Sequence, residues 1–170
     1  MKFRDLTEKD IEVRVQSVKQ NGLVLLLYKN ARVDMNILDE TVGAENWQRE
    51  HYECKGNLFC RVGIRMYVKD NANASVTDWV YKSDCGTESN TEAQKGEASD
   101  SFKRACFNWG IGRELYTSPF IWIPADKCNI QNGKCYDRFS VEKIIIEDKQ
   151  IKALAIKNDT QKVRAFVWQE

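Results

Sequence analysis

The sequence predicts an α+β fold in which an antiparallel β-meander packs on a long basic helix, flanked by an N-terminal hairpin and a C-terminal β-meander. Three observations carry this. Apolar and polar residues alternate with a period of two from Leu58 to Val68, an apolar stripe of helical spacing runs between Thr91 and Trp109, and three alternating runs follow Phe139.

The elements follow in order. IEVRVQSV and LVLLLY flank Asn21-Gly22, and Asn-Gly between β-rich runs signals a hairpin. From Ala31 to Val42 the spacing of Val33, Ile37, Leu38, Thr41 and Val42 becomes helical, with Gly43 placed to end the helix. In the next strand Leu58, Cys60, Val62, Ile64, Met66 and Val68 share one face, and Arg61, Arg65 and Lys69 take the other. NWQREHYEC and DWVYKSDC are its expected neighbours, and the polar loop DNANASVT leads into the second. The long helix is predicted over about Thr91 to Trp109, because Ala98, Phe102, Ala105, Cys106 and Trp109 fall on one stripe and Ser89 with Glu92 has capping-box spacing. Gly96 weakens this helix by roughly 1 kcal/mol relative to alanine, which packing must offset. After Gly110 come IGRELY, the apolar SPFIWIP and a turn at Asn132-Gly133. FSVEKIIIE, IKALAIK and VRAFVWQ then form the second meander.

With 170 residues, 42% of them hydrophobic and 11% aromatic, the chain fits one domain over 1–170. Its 26 basic and 25 acidic side chains leave a formal charge of +1, so any polyanion site must be a local concentration of Lys and Arg. The N-terminus lacks the apolar core of a signal peptide and no apolar run reaches membrane-spanning length, which predicts a cytoplasmic protein with no membrane partner. Six scattered cysteines, Cys54, Cys60, Cys85, Cys106, Cys128 and Cys135, then read as reduced thiols.

Catalytic and cofactor signatures are sparse. Gly110-Ile-Gly112 follows a helix and lacks a third glycine, so it reads as a helix terminator, and no GKS or GKT sequence offers an ATP phosphate cradle. His51 is the sole histidine and lies in a strand pattern, which favours a structural role. The cysteine spacings do not suit a zinc knuckle, so neither a metal nor another cofactor is expected. One enzymatic alternative stands: Asp137, then an apolar strand, then Glu147 and Lys149 resembles a metal-dependent nuclease core, two carboxylates holding Mg²⁺ and the lysine stabilising water or phosphate. The same Glu147–Gln150 stretch also suits a polar hairpin turn.

GTESNTEAQKGEASDSFKRACFNWGIGRELY gathers Lys95, Lys103, Arg104 and Arg113 around one helix and its exit. From Asp100 to Arg113, Lys103, Arg104 and Arg113 oppose only Asp100, a local charge of +2 where the whole chain has +1. Consecutive Lys103 and Arg104 point about 100° apart on a helix, while Phe102 and Ala105 face a core. A basic helix face is commonly just solvated, and Asp100 is spaced to pair with Arg104 at i, i+4.

EASDSFKRACFNWGIGRELY resembles the helix signature of the Rad52 family, above all its bacterial and phage branch of single-strand annealing proteins. ARVDMNILDETVGAENW resembles the family's first helix, and the spacing between the two segments is also similar, so the likeness covers about residues 30 to 120 in order. The resemblance implies a β-β-β-α core and a ring-like homo-oligomer that holds single-stranded DNA in a basic groove and anneals strands without ATP, in recombination and repair, as a binding protein rather than an enzyme. By matching position it implies phosphate contacts from Lys103 and Arg104 and from Arg32, with Lys95 and Arg113 as further DNA-binding candidates. Eukaryotic members carry a basic residue where Phe107 stands and an aromatic one where Ala44 stands. A single-strand-binding protein is a further partner this role would involve, and a passive single-strand binder or mediator is the alternative within the same class. The tail over 139–170 matches nothing in that core and is expected to be a β extension.

Overall fold

The computed structural model describes residues 1–70, 73–87 and 93–170, and leaves the side chains of 68–70, 73–74 and 93–95 undescribed. It is a mixed α+β protein whose strand pairs, among the described residues, are antiparallel. Strands β1 (Glu12–Lys19) and β2 (Gly22–Tyr28) come first, then helix α1 (Ala31–Val42). Strands β3 (Trp47–Cys54), β4 (Asn57–Ile64), β5 (Tyr67–Asp70), β6 (Asn73–Val76) and β7 (Val80–Cys85) precede helix α2 (Ala93–Trp109). Strands β8 (Ile121–Pro124), β9 (Ile130–Gln131), β10 (Lys134–Cys135), β11 (Phe139–Glu147), β12 (Gln150–Asn158) and β13 (Val163–Gln169) complete the chain.

The chain divides into two compact units. A helix-bearing unit combines Met1–Arg4 with Asn30–Gly112, and a six-stranded unit combines Asp5–Lys29 with Arg113–Glu170. Each draws on two separate stretches, so no single cut isolates either.

In the helix-bearing unit, α1 starts and stops where the sequence places it. Asn30 Oδ1 accepts the Arg32 N–H at 2.8 Å, and Gly43, at φ 87°, returns its N–H to Asp39 O at 3.0 Å. The sheet runs β3-β4-β7, with Trp47 opposite Ile64 and Val62 opposite Lys82. Cys60, Val62 and Ile64 are buried as the alternation predicts, yet the strand ends at Ile64 instead of continuing to Val68. The backbone leaves the ladder there: the Arg65 N–H donates to Asn46 O, the Met66 N–H goes to Thr77 Oγ1, and β5 and β6 form a separate hairpin. Ile37, Leu38, Phe102, Ala105, Cys106 and Ile111 complete the unit's core.

In the six-stranded unit, hairpin and tail join one sheet of order β13-β12-β11-β1-β2-β8. Its edge strands β13 and β8 come into contact, so the sheet curls back on itself around Leu23, Leu25, Leu27, Ile123, Leu154 and Ile156. The first turn falls at Gln20-Asn21, since Lys19 pairs with Gly22. Gly22 is needed for close approach: a Cβ there would stand 2.4 Å from Ile123 O. Asn132 and Gly133 (φ 50° and 71°) link β9 to β10 in the left-handed pair of a type I′ hairpin.

Candidate nucleic-acid interface

Helix α2 spans 17 residues and carries Lys95, Lys103 and Arg104 against Glu97 and Asp100. Its inner stripe is set firmly on the sheet. Phe102, Ala105 and Cys106 are fully buried, and the Phe102 ring stacks on Trp47 at 6.1 Å and lies under the Arg49 guanidinium at 4.7 Å. His51 Nε2 donates to Ala98 O at 3.0 Å, a structural role. At Gly86 a Cβ would stand 2.3 Å from Glu97 O, so only glycine lets the chain after β7 pass this close to the helix. The C-terminal end is stapled as well: Lys82 Nζ donates to Asn108 O at 2.9 Å where the helix dipole favours a cation, and Trp109 Nε1 donates to Val62 O at 3.0 Å. Gly110, at φ 100°, then ends the helix.

With the inner stripe buried, Lys103 and Arg104 lie on the outer side, Lys103 partly exposed and Arg104 exposed. Arg104 Nε stands 3.4 Å from Asp84 Oδ1 on β7, its side chain 43% accessible. Asp100 does not supply this pairing, because it accepts the Thr87 N–H at 3.1 Å and the Thr87 hydroxyl at 3.3 Å. An ion pair this exposed contributes about 0–1 kcal/mol, little enough for a phosphate to compete. Arg32 is exposed at the start of α1, which packs against α2. Lys95 belongs to the first turn of α2, and its side chain lies outside the described residues, as does the expected cap at Ser89 and Glu92. Arg113 is exposed but opens the 3-10 turn Arg113–Thr117 of the other unit. The helix-bearing unit thus holds four of the five candidates, and Arg113 falls outside it.

The nuclease alternative loses its geometry. Asp137 and Glu147 flank opposite ends of β11, whose span from Phe139 to Glu147 is about 26 Å at the usual strand rise. Ligands so far apart cannot share one ion. Asp137 instead accepts the Asn129 N–H and the Asn158 amide, both at 2.8 Å, and Lys149 Nζ stands 2.8 Å from Asp5 Oδ1. Among the described residues no group of three His, Cys, Asp or Glu side chains is placed to hold a metal ion. None of the six cysteines is in a disulfide; burial pushes the Cys60 and Cys128 thiols up to about 11, Cys128 with help from neighbouring Cys135, Asp137 and Asp126.

Sequence reasoning missed Asp84, Lys82 and Arg49, the residues that frame α2. Their alternation on β7 and β3 was visible, but only the strand register shows that they face the helix.

Among known proteins, the model of the Rad52/22 family double-strand break repair protein matches residues 3–133. The match takes in β1 and β2, which lie before the segment of resemblance, and stops short of β11. Searches of the curated proteins and of the solved structures returned no match. Among the described residues no helix is long and apolar enough to cross a membrane.

Proposed function

The chain belongs to the Rad52/22 family, whose business is DNA recombination, repair and strand annealing, and from that premise we propose that it binds single-stranded DNA and anneals complementary strands without ATP. The observation that carries the reading is the family match together with a sheet-anchored helix that turns Lys103 and Arg104 outward.

Annealing requires each strand to be held by its backbone, with Watson-Crick edges left free to test a second strand. Lys103, Arg104 and Arg32 are the main phosphate contacts in this reading, and Lys95 and Arg113 are further ones. A rigid seat for α2 fixes where these cations stand, so little ordering entropy is lost when DNA arrives. A chain of net charge +1 holds a polyanion by repetition: as a ring-like homo-oligomer it lines up one basic patch per subunit into a track. Base pairing supplies the driving free energy. The protein fits the bacterial and phage branch of the family, acts in the cytoplasm, and exchanges strands with a single-strand-binding protein. Residues 1–170 act as one annealing domain, with 139–170 as its β extension.

The test is a salt titration of oligothymidine binding with wild type and a Lys103→Ala/Arg104→Ala variant. Wild-type affinity falls steeply as salt rises, and the variant loses most affinity and flattens the log–log slope by about 0.7 per phosphate contact removed. Unchanged affinity in a folded variant moves the site elsewhere.

A further inference from the structure

Cys128 and Cys135 sit on the two legs of the β9-β10 hairpin. Cys135 pairs with Ile130, and Cys128, whose backbone is extended (φ −151°, ψ 157°), stands two residues before Ile130. Side chains two apart on an extended leg point the same way, so the two thiols are diagonal neighbours on one face of the hairpin. Both ends of the hairpin are fixed. Asn132 and Gly133 set its turn at φ 50° and 71°. At the open end the fully buried Asn158 amide donates to Lys127 O at 3.0 Å and to Asp137 Oδ2 at 2.8 Å, and the Asn129 N–H donates to the same Asp137 oxygen at 2.8 Å.

The two sulfurs differ in access: Cys128 is 9% exposed and Cys135 is half-buried. Burial, and then Cys135 itself through charge and as a hydrogen-bond partner, keeps the Cys128 thiol protonated at neutral pH. Cys128 Sγ donates to Pro124 O at 3.4 Å, and a cavity lined by Val18, Lys19, Ala125, Ile130 and Gly133 opens beside it. The thiol can therefore swing off Pro124 toward Cys135 without displacing packed neighbours. A disulfide needs Cα atoms within about 7 Å, a separation that diagonal neighbours on a hairpin meet or closely approach.

We propose that Cys128 and Cys135 are a redox-sensitive clasp, which a small-molecule disulfide converts to a reversible intramolecular disulfide that locks the β9-β10 hairpin. In a compartment that keeps thiols reduced the clasp stays open. With glutathione disulfide as the oxidant, the Cys135 thiol loses its proton and attacks one glutathione sulfur, forming a mixed disulfide and releasing a glutathione thiolate that takes up a proton. Cys128 then gives its proton to solvent, and its sulfur attacks Cys135 Sγ and expels the second glutathione. Two protein thiols are oxidised, and one glutathione disulfide is reduced to two glutathione thiols.

The experiment is incubation of the native full chain with glutathione disulfide, blocking of the remaining thiols in denaturant, and trypsin digestion without reductant. Trypsin cuts after Lys127, Lys134 and Arg138, so it separates the two cysteines into peptides 128–134 and 135–138. Wild type yields these peptides joined, and dithiothreitol parts them. The joined chain melts higher than the reduced one, because the link restricts the unfolded state. Cys128→Ser stops at glutathione on Cys135, and Cys135→Ser leaves Cys128 unmodified. Should Cys128→Ser fail to fold, Cys135→Ser carries the readout, since its parent side chain is half-exposed. Stable glutathione on Cys135 of the wild type, with no joined peptides, overturns the inference. Reaction confined to exposed Cys54 overturns it too, as does a joined chain that melts no higher than the reduced one.

Discussion

Arg104 has the Asp84 carboxylate 3.4 Å away among its partners and, in the proposed complex, a phosphate as well. The two compete for one guanidinium, so they predict opposite effects. Arg104→Ala weakens oligothymidine binding several-fold, while Asp84→Asn, which removes the competing charge, strengthens it, as fluorescence anisotropy at low salt would read. If Asp84→Asn weakens binding to the same degree, the pair acts as a structural unit and Arg104 is not a phosphate contact. The thiols give a second residue-scale prediction. Cys54 is exposed, whereas Cys60, Cys106 and Cys128 are buried. The thiolate is the species that reacts, and the Cys60 and Cys128 thiols are pushed up to about 11. Alkylation of the native protein near pH 8, followed by mass spectrometry, therefore marks Cys54 first, with Cys60 and Cys128 slow until denaturant is added.

Helix α2 is the element on which the account turns, and Phe102 is its main anchor. Phe102→Ala removes a ring with no exposed surface and costs about 3–5 kcal/mol, so it lowers the melting temperature and the DNA affinity together. Lys103→Ala lowers the affinity alone. Observing that split in parallel melting and binding curves separates the seat from the surface. Much of this element was legible in the sequence, because the 3.6-residue stripe of Phe102, Ala105, Cys106 and Trp109 reports burial directly. So were α1, through its helical spacing and Gly43, and the tail strands, through their alternation. What periodicity could not give is partnership. It ran one strand on to Val68, although the break at Arg65-Met66 comes from hydrogen bonds to Asn46 and Thr77, distant in sequence. It also could not place Asp84 opposite Arg104, since that depends on the β4–β7 register.

On the scale of the whole molecule, the interleaving of two units is the feature no local pattern announces. The N-terminal hairpin pairs with the tail through Glu12 and Ser140, a contact between residues more than a hundred positions apart. Arg113, one residue past Gly112, begins the second stretch of the other unit, which removes it from the unit that holds Lys103 and Arg104. For the assembled protein the reading demands that one weakly charged chain act in numbers. Dilution below the assembly concentration should therefore weaken DNA binding per chain, and titrating protein at fixed trace DNA should give a sigmoid curve. A simple hyperbola down to the monomer range contradicts cooperation between subunits.

The most direct measurement is a fluorescence time course of two complementary oligonucleotides annealing in EDTA without nucleotide. The account predicts that wild-type protein accelerates pairing many-fold over the spontaneous rate and that Lys103→Ala/Arg104→Ala returns it to that rate while remaining folded. Pairing no faster with the wild-type protein than without it, or a double variant as active as wild type, contradicts it.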